Sequence, residues 1–285
     1  MRKDYDAIKQ NFTSFIETWK TRDVECLKDL VAVDVHGFLS IIGSSEGGEQ
    51  HSLFGIRAFV QDIPQTDHMD YEICHYICRV NGNQAHQAAE VPCIAKNNNG
   101  DYFTYVATFC NGWIKEDETW KMNEIRMDIM EYESPLSEYF KKTWYFEDNL
   151  AVLTAAVHLP CVFPDIDNPY YRIPECEDVL TEEEKIQECF AKFIYGIDWI
   201  VFTFCRDTLS DGFKNKDKKT FVAETKWERQ SFRYWCHPYM FENIEINGDF
   251  AVARLSSMID DCRIQKVEFV KEATDWKILS YAEGV

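Results

Sequence analysis

The sequence predicts an α+β protein built of two curved antiparallel sheets, each wrapping about three helices, arranged as a tandem repeat. Three matched features carry that expectation. The signal strand, Asn-Gly, strand occurs twice, at Val80-Asn81-Gly82-Asn83-Gln84-Ala85 and at Ile244-Glu245-Ile246-Asn247-Gly248-Asp249-Phe250-Ala251. Each block closes with an acidic turn and a tryptophan strand, Glu116-Asp117-Glu118-Thr119-Trp120-Lys121-Met122 and Glu272-Ala273-Thr274-Asp275-Trp276-Lys277-Ile278. Each block opens on a segment of helical period, with apolar residues at Ile8, Phe12, Phe15 and Ile16 and again at Ile186, Phe190, Phe193 and Ile194.

The elements follow in the same order in each half. Thr181-Glu182-Glu183-Glu184 is a capping box that starts the second opening helix. Short strands are expected around His36-Gly37-Phe38-Leu39 and Asp211-Gly212-Phe213. Helices are expected around Ile56–Ile63 and Lys219–Tyr234, and about four long strands complete each half. Strands that follow helices, rather than alternate with them, argue for α+β, and a curved sheet around helices leaves a cavity at its open end. The domains are expected at 1–134 and 181–285. Residues 135–180 between them hold five of the eight prolines. Lys141–His158 is expected to be helical and the rest ordered irregular chain, because it carries Trp144, Tyr145, Phe163, Tyr170 and Tyr171. This linker would cover a sheet or cap a cavity.

Composition narrows the function. The chain has 285 residues and a formal charge of −19. That charge argues against nucleic acid, which needs clustered Lys and Arg, and against an anionic membrane surface. The acidity is spread, with 12 basic and 22 acidic residues in 1–134, 3 and 8 in 135–180, and 15 and 19 in 181–285. The start Met1-Arg2-Lys3-Asp4-Tyr5-Asp6 lacks the apolar run of a signal peptide, and the longest apolar stretch, near Trp199–Cys205, is too short to span a bilayer. The 11 cysteines are scattered without a Cys-x-x-Cys pair, so they read as buried reduced thiols in a cytoplasm. Cys74 and Cys78, with His75 between, lie on an expected strand and read as packing. No Cys/His cluster has metal-ligand spacing, and neither a metal nor a cofactor is expected. Gly43-Ser44-Ser45-Glu46-Gly47-Gly48-Glu49 lacks the Lys of a phosphate cradle and reads as a loop near a cavity mouth. Asn97-Asn98-Asn99-Gly100 reads as a hairpin turn.

Each half resembles the SnoaL-like branch of the nuclear transport factor 2-like superfamily, whose fold is a cone-shaped α+β barrel. The residues that carry the resemblance are Asn243 to Ala253 with Trp276-Lys277-Ile278, and in the first half Val80 to Ala85 with Trp120-Lys121-Met122. The superfamily holds dehydratases, isomerases, cyclases and binding modules without catalysis, so fold alone does not give function. Its scytalone and bile-acid dehydratases place an Asp late in the first helix, a His before the first long strand and an Asp on the next strand. The resemblance puts these roles on Asp198, His237 and Asp260. The family's Tyr falls on Phe193, with Tyr195 and Tyr234 nearby but out of register. The matching first-half positions hold Lys20 or Trp19, Tyr71 and Ile94, a set that cannot do the same chemistry.

The expected chemistry is loss of water from a β-hydroxy carbonyl or a related isomerisation. His237 would be the general base, Asp198 its orienting carboxylate, and Asp260 a proton donor or polar anchor. Arg254 or Tyr234 would polarise the carbonyl. Asp198 stands between Ile197 and Trp199 in an apolar helix, where a buried acid needs a partner. His237 before Pro238 equally suits a surface helix end, and Asp260-Asp261 a solvated turn. In the first half, which holds five of the seven histidines, Asp34 and His68 are the candidate polar pair, and surface histidines on acidic loops are the plainer account. Two readings result. One is a cofactor-independent lyase or isomerase for a small, largely apolar cyclic molecule, with the halves packed as an intramolecular pseudo-dimer and room for further homo-oligomers. The other is a non-catalytic ligand-binding or protein-interaction module.

Overall fold

The computed structural model describes residues 2–21, 24–42, 49–54, 68–96, 102–131, 152–153, 162, 164–176, 180–228, 236–259 and 263–283. Over these described residues it is α+β, with an eight-stranded and a four-stranded sheet. The chain divides into two compact units. The first is Met1–Ile73 with Cys78–Val179, and the second is Leu180–Val285 with the short segment Cys74–Ile77.

In the first unit, helix α1 (Arg2–Thr21) buries Tyr5, Ile8, Phe12, Phe15 and Ile16, one stripe at helical spacing. Helix α2 (Val24–Leu30) leads into the strands β1 (Val31–Ile42), β2 (Glu49–Phe54), β3 (His68–Tyr71), β4 (Cys74–Asn81), β5 (Gln84–Lys96), β6 (Tyr102–Glu116), β7 (Thr119–Glu131) and β8 (Val152–Leu153). Their order is β3-β5-β6-β7-β1-β2-β8, with β4 also paired to β5. The short strand expected around His36–Leu39 is instead twelve residues long and runs parallel to β7. Phe109 of β6 meets Phe12 and Phe15 edge-on at 5.3 and 6.3 Å, so this sheet face packs on α1. Burying each such ring contributes about 1.5–3 kcal/mol.

The linker corrects one expectation. Within Lys141–His158, where a helix was expected, Val152–Leu153 is a strand paired with β2 at Gln50 and His51. Two single-turn helices follow, α3 (Pro164–Asp167) and α4 (Pro169–Arg172), and Asn168 caps the second. This segment covers the other face of the first sheet. The Val162 N–H donates to Asp128 at 3.1 Å, Arg172 pairs with Glu124, and Arg79 donates to the carbonyls of Ile173 and Pro174 at 2.6 and 2.9 Å. The expected helix at Ile56–Ile63 and the turn at Asn97–Gly100 lie outside the described residues, as does the Gly43–Glu49 loop up to Gly48.

The second unit holds α5 (Glu182–Asp198), α6 (Phe202–Thr208) and α7 (Lys218–Glu228), then β9 (Tyr239–Asn247), β10 (Phe250–Ser257), β11 (Ile264–Glu272) and β12 (Asp275–Glu283) in a β12-β11-β10-β9 sheet. The Thr181 capping box is formed, with both reciprocal hydrogen bonds present. The short strand expected at Asp211–Phe213 is not there. Leu209 alone bridges to Ile278, and Asp211-Gly212 is a turn. Phe190, Phe193, Phe221, Val267, Phe269, Trp276 and Ile278 belong to one buried core.

Both Asn-Gly hairpins form, with a shift of one residue. Asn81 and Asn247 close their strands, and Gly82 and Gly248 take the first central turn position at φ 61°. The closing strands share a further feature. The Trp120 indole N–H donates to Asp4 at 2.9 Å while Lys115 pairs with the same carboxylate at 3.0 Å. The Trp276 indole N–H donates to Glu182 at 2.9 Å while Lys271 pairs with it at 2.7 Å. Lys271, then the Trp276 indole and Lys185, hold the Glu182 carboxyl down at about 2.

Candidate active site

Asp198 is the last residue of α5 and is 1% exposed. A carboxylate there faces the negative end of the helix and has lost its hydration, both unfavourable. The offset comes from His237, just before β9. Its backbone N–H donates to Asp198 Oδ2 at 2.8 Å, and its ring Nδ1 lies 2.6 Å from Oδ1. In the neutral ring, Nδ1–H donates to the carboxylate and the lone pair is left on Nε2. The His237 side chain keeps 17% of its surface exposed.

The surroundings are aromatic. The His237 ring lies nearly parallel to Tyr239, with centroids 6.3 Å apart. Tyr239 meets Phe190 edge-on at 5.7 Å, and Tyr195 stacks on Trp199 at 3.8 Å. His75, from the short segment that belongs to this unit, sits among Phe190, Tyr195 and Tyr239 and is 6% exposed. Its carbonyl accepts the Tyr195 hydroxyl at 2.6 Å, and its Nε2 accepts the Tyr239 backbone N–H at 3.4 Å. Sequence reasoning read this position as packing. Nothing in the residue types around it signals the two hydrogen bonds, which join residues 120 and 164 apart in sequence.

Backbone geometry marks the same region. Ile200, two residues beyond Asp198, has φ 63°, and His75 has φ 50°. Left-handed backbone at a β-branched residue is a true outlier, and such outliers gather at functional sites. Gly196 lets α6 cross α5, since a Cβ there would lie 2.6 Å from the Cys205 backbone nitrogen. Burial, with the Asp198 charge adding to it, raises the Cys205 thiol above its ordinary range. Burial likewise raises Cys93 and Cys189 to about 12, so these thiols are packing groups rather than nucleophiles.

The other expected site residues fall as follows. Phe193 is 1% exposed and stacks on Phe221 in the core. Tyr195 is fully buried with its hydroxyl engaged by His75. Arg254 is exposed between buried Ala253 and Leu255, so strand alternation turns it to the other face of the sheet and it does not meet the dyad. Asp34 is exposed on β1, and His68 begins β3 opposite Lys96. Tyr234, Asp260 and the side chain of His68 lie outside the described residues. At the matching place in the first unit, the Tyr71 hydroxyl donates to Glu17 at 2.8 Å, with Lys20 5.9 Å above the ring. Burial, then this bond to Glu17, raises the Tyr71 phenol above its ordinary range and keeps it protonated.

An open cleft of about 870 Å³ lies elsewhere on the second unit, lined by residues of α6, α7 and β12, and neither Asp198 nor His237 lines it. Its Lys218 and Lys277 are taken up by the carbonyls of Leu209 and Asp207. Among the described residues, no cluster of His, Cys, Asp or Glu is arranged to hold a metal ion, and no helix is long and apolar enough to cross a membrane.

No protein-family profile matches the chain, and no curated protein does. Solved structures match about half of it. A nuclear transport factor 2-like superfamily protein from Salmonella enterica serovar Typhimurium LT2 is 12% identical over 47% of this chain and 93% of its own, with a TM-score of 0.36. A candidate dehydratase of the NTF2-like family from Streptomyces avermitilis is 14% identical over 46% of this chain and 98% of its own, at 0.35. A hexachlorocyclohexane dehydrochlorinase from Novosphingobium barchaimii LL02 is 11% identical over 55% of this chain and 95% of its own, at 0.35.

Proposed function

We propose that the second unit is a cofactor-independent lyase or isomerase site of the SnoaL-like kind, acting on a small, largely apolar cyclic molecule. The observation that carries this is the buried Asp198 carboxylate held 2.6 Å from His237 Nδ1. A fully buried acid at a helix C-terminus is costly to keep, and its clearest use is to orient a base. His237 Nε2 takes a proton from carbon beside a carbonyl, and Asp198 stabilises the imidazolium that forms. Asp260 supplies the proton to the departing group. Residues 1–134 and 181–285 are tandem copies of one domain in this reading, joined by 135–180 in a cytoplasmic protein. The paired Asp4–Trp120–Lys115 and Glu182–Trp276–Lys271 contacts support the repeat, because an acid, a Trp and a Lys pin helix to sheet in both units.

One observation favours the second reading, a small-molecule-binding module without chemistry. The Tyr195 hydroxyl is spent on a backbone carbonyl and Arg254 faces away, so neither polarises a substrate carbonyl. A single experiment separates the two. Cyclic β-hydroxy ketones and halogenated cyclohexanes are assayed for both turnover and binding with wild type and His237→Gln. Turnover lost in the variant with binding retained supports the enzyme. Binding without turnover by wild type supports the module.

A further inference from the structure

Gln87, Asn111 and Trp113 share the face of the first sheet that packs on α1. The register fixes this, because Gln87 lies opposite Asn111, Ala85 opposite Trp113 and Ala89 opposite Phe109, whose ring meets Phe12 and Phe15 of α1. Gln87 and Asn111 are 0% exposed and Trp113 2%. The Asn111 amide donates to Gln87 Oε1 at 3.1 Å. Beyond that bond, Gln87 Nε2, Asn111 Oδ1 and Trp113 Nε1 are buried with no hydrogen-bond partner among the described residues. Native interiors pair the large majority of such atoms. Three orphans at adjacent positions on one face form a matched set, two donors and an acceptor pointing into the same apolar layer.

We propose that this face of the first unit binds a small, neutral, ring-bearing molecule through a carbonyl and an adjacent N–H or O–H. The carbonyl oxygen accepts from Gln87 Nε2 and Trp113 Nε1, and the N–H or O–H donates to Asn111 Oδ1. Turning both amides over exchanges the two roles and leaves the same complement. Neutrality follows from the surroundings. Alternation puts Glu90, Glu124 and Asp128 on the opposite sheet face, and the charges on the α1 side, Lys115 and Asp4, are paired with each other and with Trp120, so a charged ligand would lose its hydration here without a counter-charge to meet it. A site built to hydrogen-bond a ligand rejects the analogue that lacks those groups, because its own polar atoms are then left unpaired. The inference does not depend on chemistry at His237.

The test uses the full chain and two planar lactams, 2-pyridone and its two-ring homologue 2-quinolone. Naphthalene and quinoline-2-carboxylate serve as the apolar and anionic controls. The readout is the tryptophan indole N–H spectrum, with the Trp113 signal assigned by Trp113→Phe. The expected result is a saturable shift of the Trp113 signal by one of the lactams, with both controls at least about tenfold weaker. Asn111→Leu and Gln87→Leu are each expected to weaken the lactam by at least about tenfold, and the double variant, which removes both ends of their mutual bond together with the orphaned groups, is expected to do so without lowering Tm. Trp113→Phe keeps the ring in place and should weaken it too. No saturable shift with either lactam would mean that water alone occupies the orphans, which overturns the proposal. So would lactam binding that Asn111→Leu and Trp113→Phe leave unchanged.

Discussion

Asp198 carries its charge where both its helix and its burial oppose it, and His237 is what holds it there. An amide at this position would turn an N–H toward one of the two His237 donors and leave it unpaired. We expect Asp198→Asn to cost about 1–3 kcal/mol in chemical denaturation. A loss below about 0.5 kcal/mol would show that the pair is not what holds the buried acid. His86 stands in a different setting. Burial, then the guanidinium groups of Arg172 and Arg126, push its pKa down to about 3 from 6.5. The folded state therefore binds fewer protons than the unfolded state between these values. Stability should fall as pH drops from 6.5 toward about 3, by up to ~1.4 kcal/mol per pH unit. His86→Phe should flatten that part of the denaturation profile. At this scale the sequence was partly legible. An acid between Ile197 and Trp199 announces a buried charge in need of a partner, but its partner is 39 residues away and was found through family resemblance. His75 gave no such signal, because its role depends on a left-handed backbone and on contacts across the chain.

Helices and hairpins were the most legible elements, since their causes are local. The Thr181 capping box and the two Gly turns are written in four or five consecutive residues. The match of Asp211-Gly212-Phe213 to His36-Gly37-Phe38 in the first half predicts a strand there, but Asp211-Gly212 is a turn and the bridge to Ile278 is made at Leu209. The close crossing of α5 and α6 was not legible, because it depends on which residue faces Gly196. A Cβ at Gly196 would lie 2.6 Å from both the Cys205 backbone nitrogen and its Sγ. Backbone cannot yield as a flexible side chain can, so Gly196→Ala should destabilise the protein by about 1–3 kcal/mol in chemical denaturation. Gly212 is the control, with its nearest neighbour 3.6 Å away at the Ser210 hydroxyl. Gly212→Ala should stay within about 0.5 kcal/mol. Equal effects at the two glycines would remove the steric account of the crossing.

For the whole molecule, the chain is not cut cleanly into a first and a second half, because Cys74–Ile77 belongs with residues 180–285. The four residues supply two acceptors to the second unit, the His75 carbonyl for Tyr195 and the His75 ring for the Tyr239 backbone N–H. Tyr239 stands two residues after His237, so the ring bond also fixes the start of β9, directly after that histidine. Two perturbations separate these contributions. His75→Ala in the full chain removes the ring acceptor and keeps the carbonyl. A fragment of residues 180–285 removes both. With each buried bond worth ~1 kcal/mol and the packing of the buried segment lost as well, the second unit should lose at least about 1 kcal/mol in the variant and at least about 2 kcal/mol in the fragment. Hydrogen exchange at the Tyr239 amide reads the first loss directly, since that N–H has its bond to His75 removed in both cases. Protection of Tyr239 that survives in the fragment would mean that residues 180–285 complete this site without help from the earlier chain.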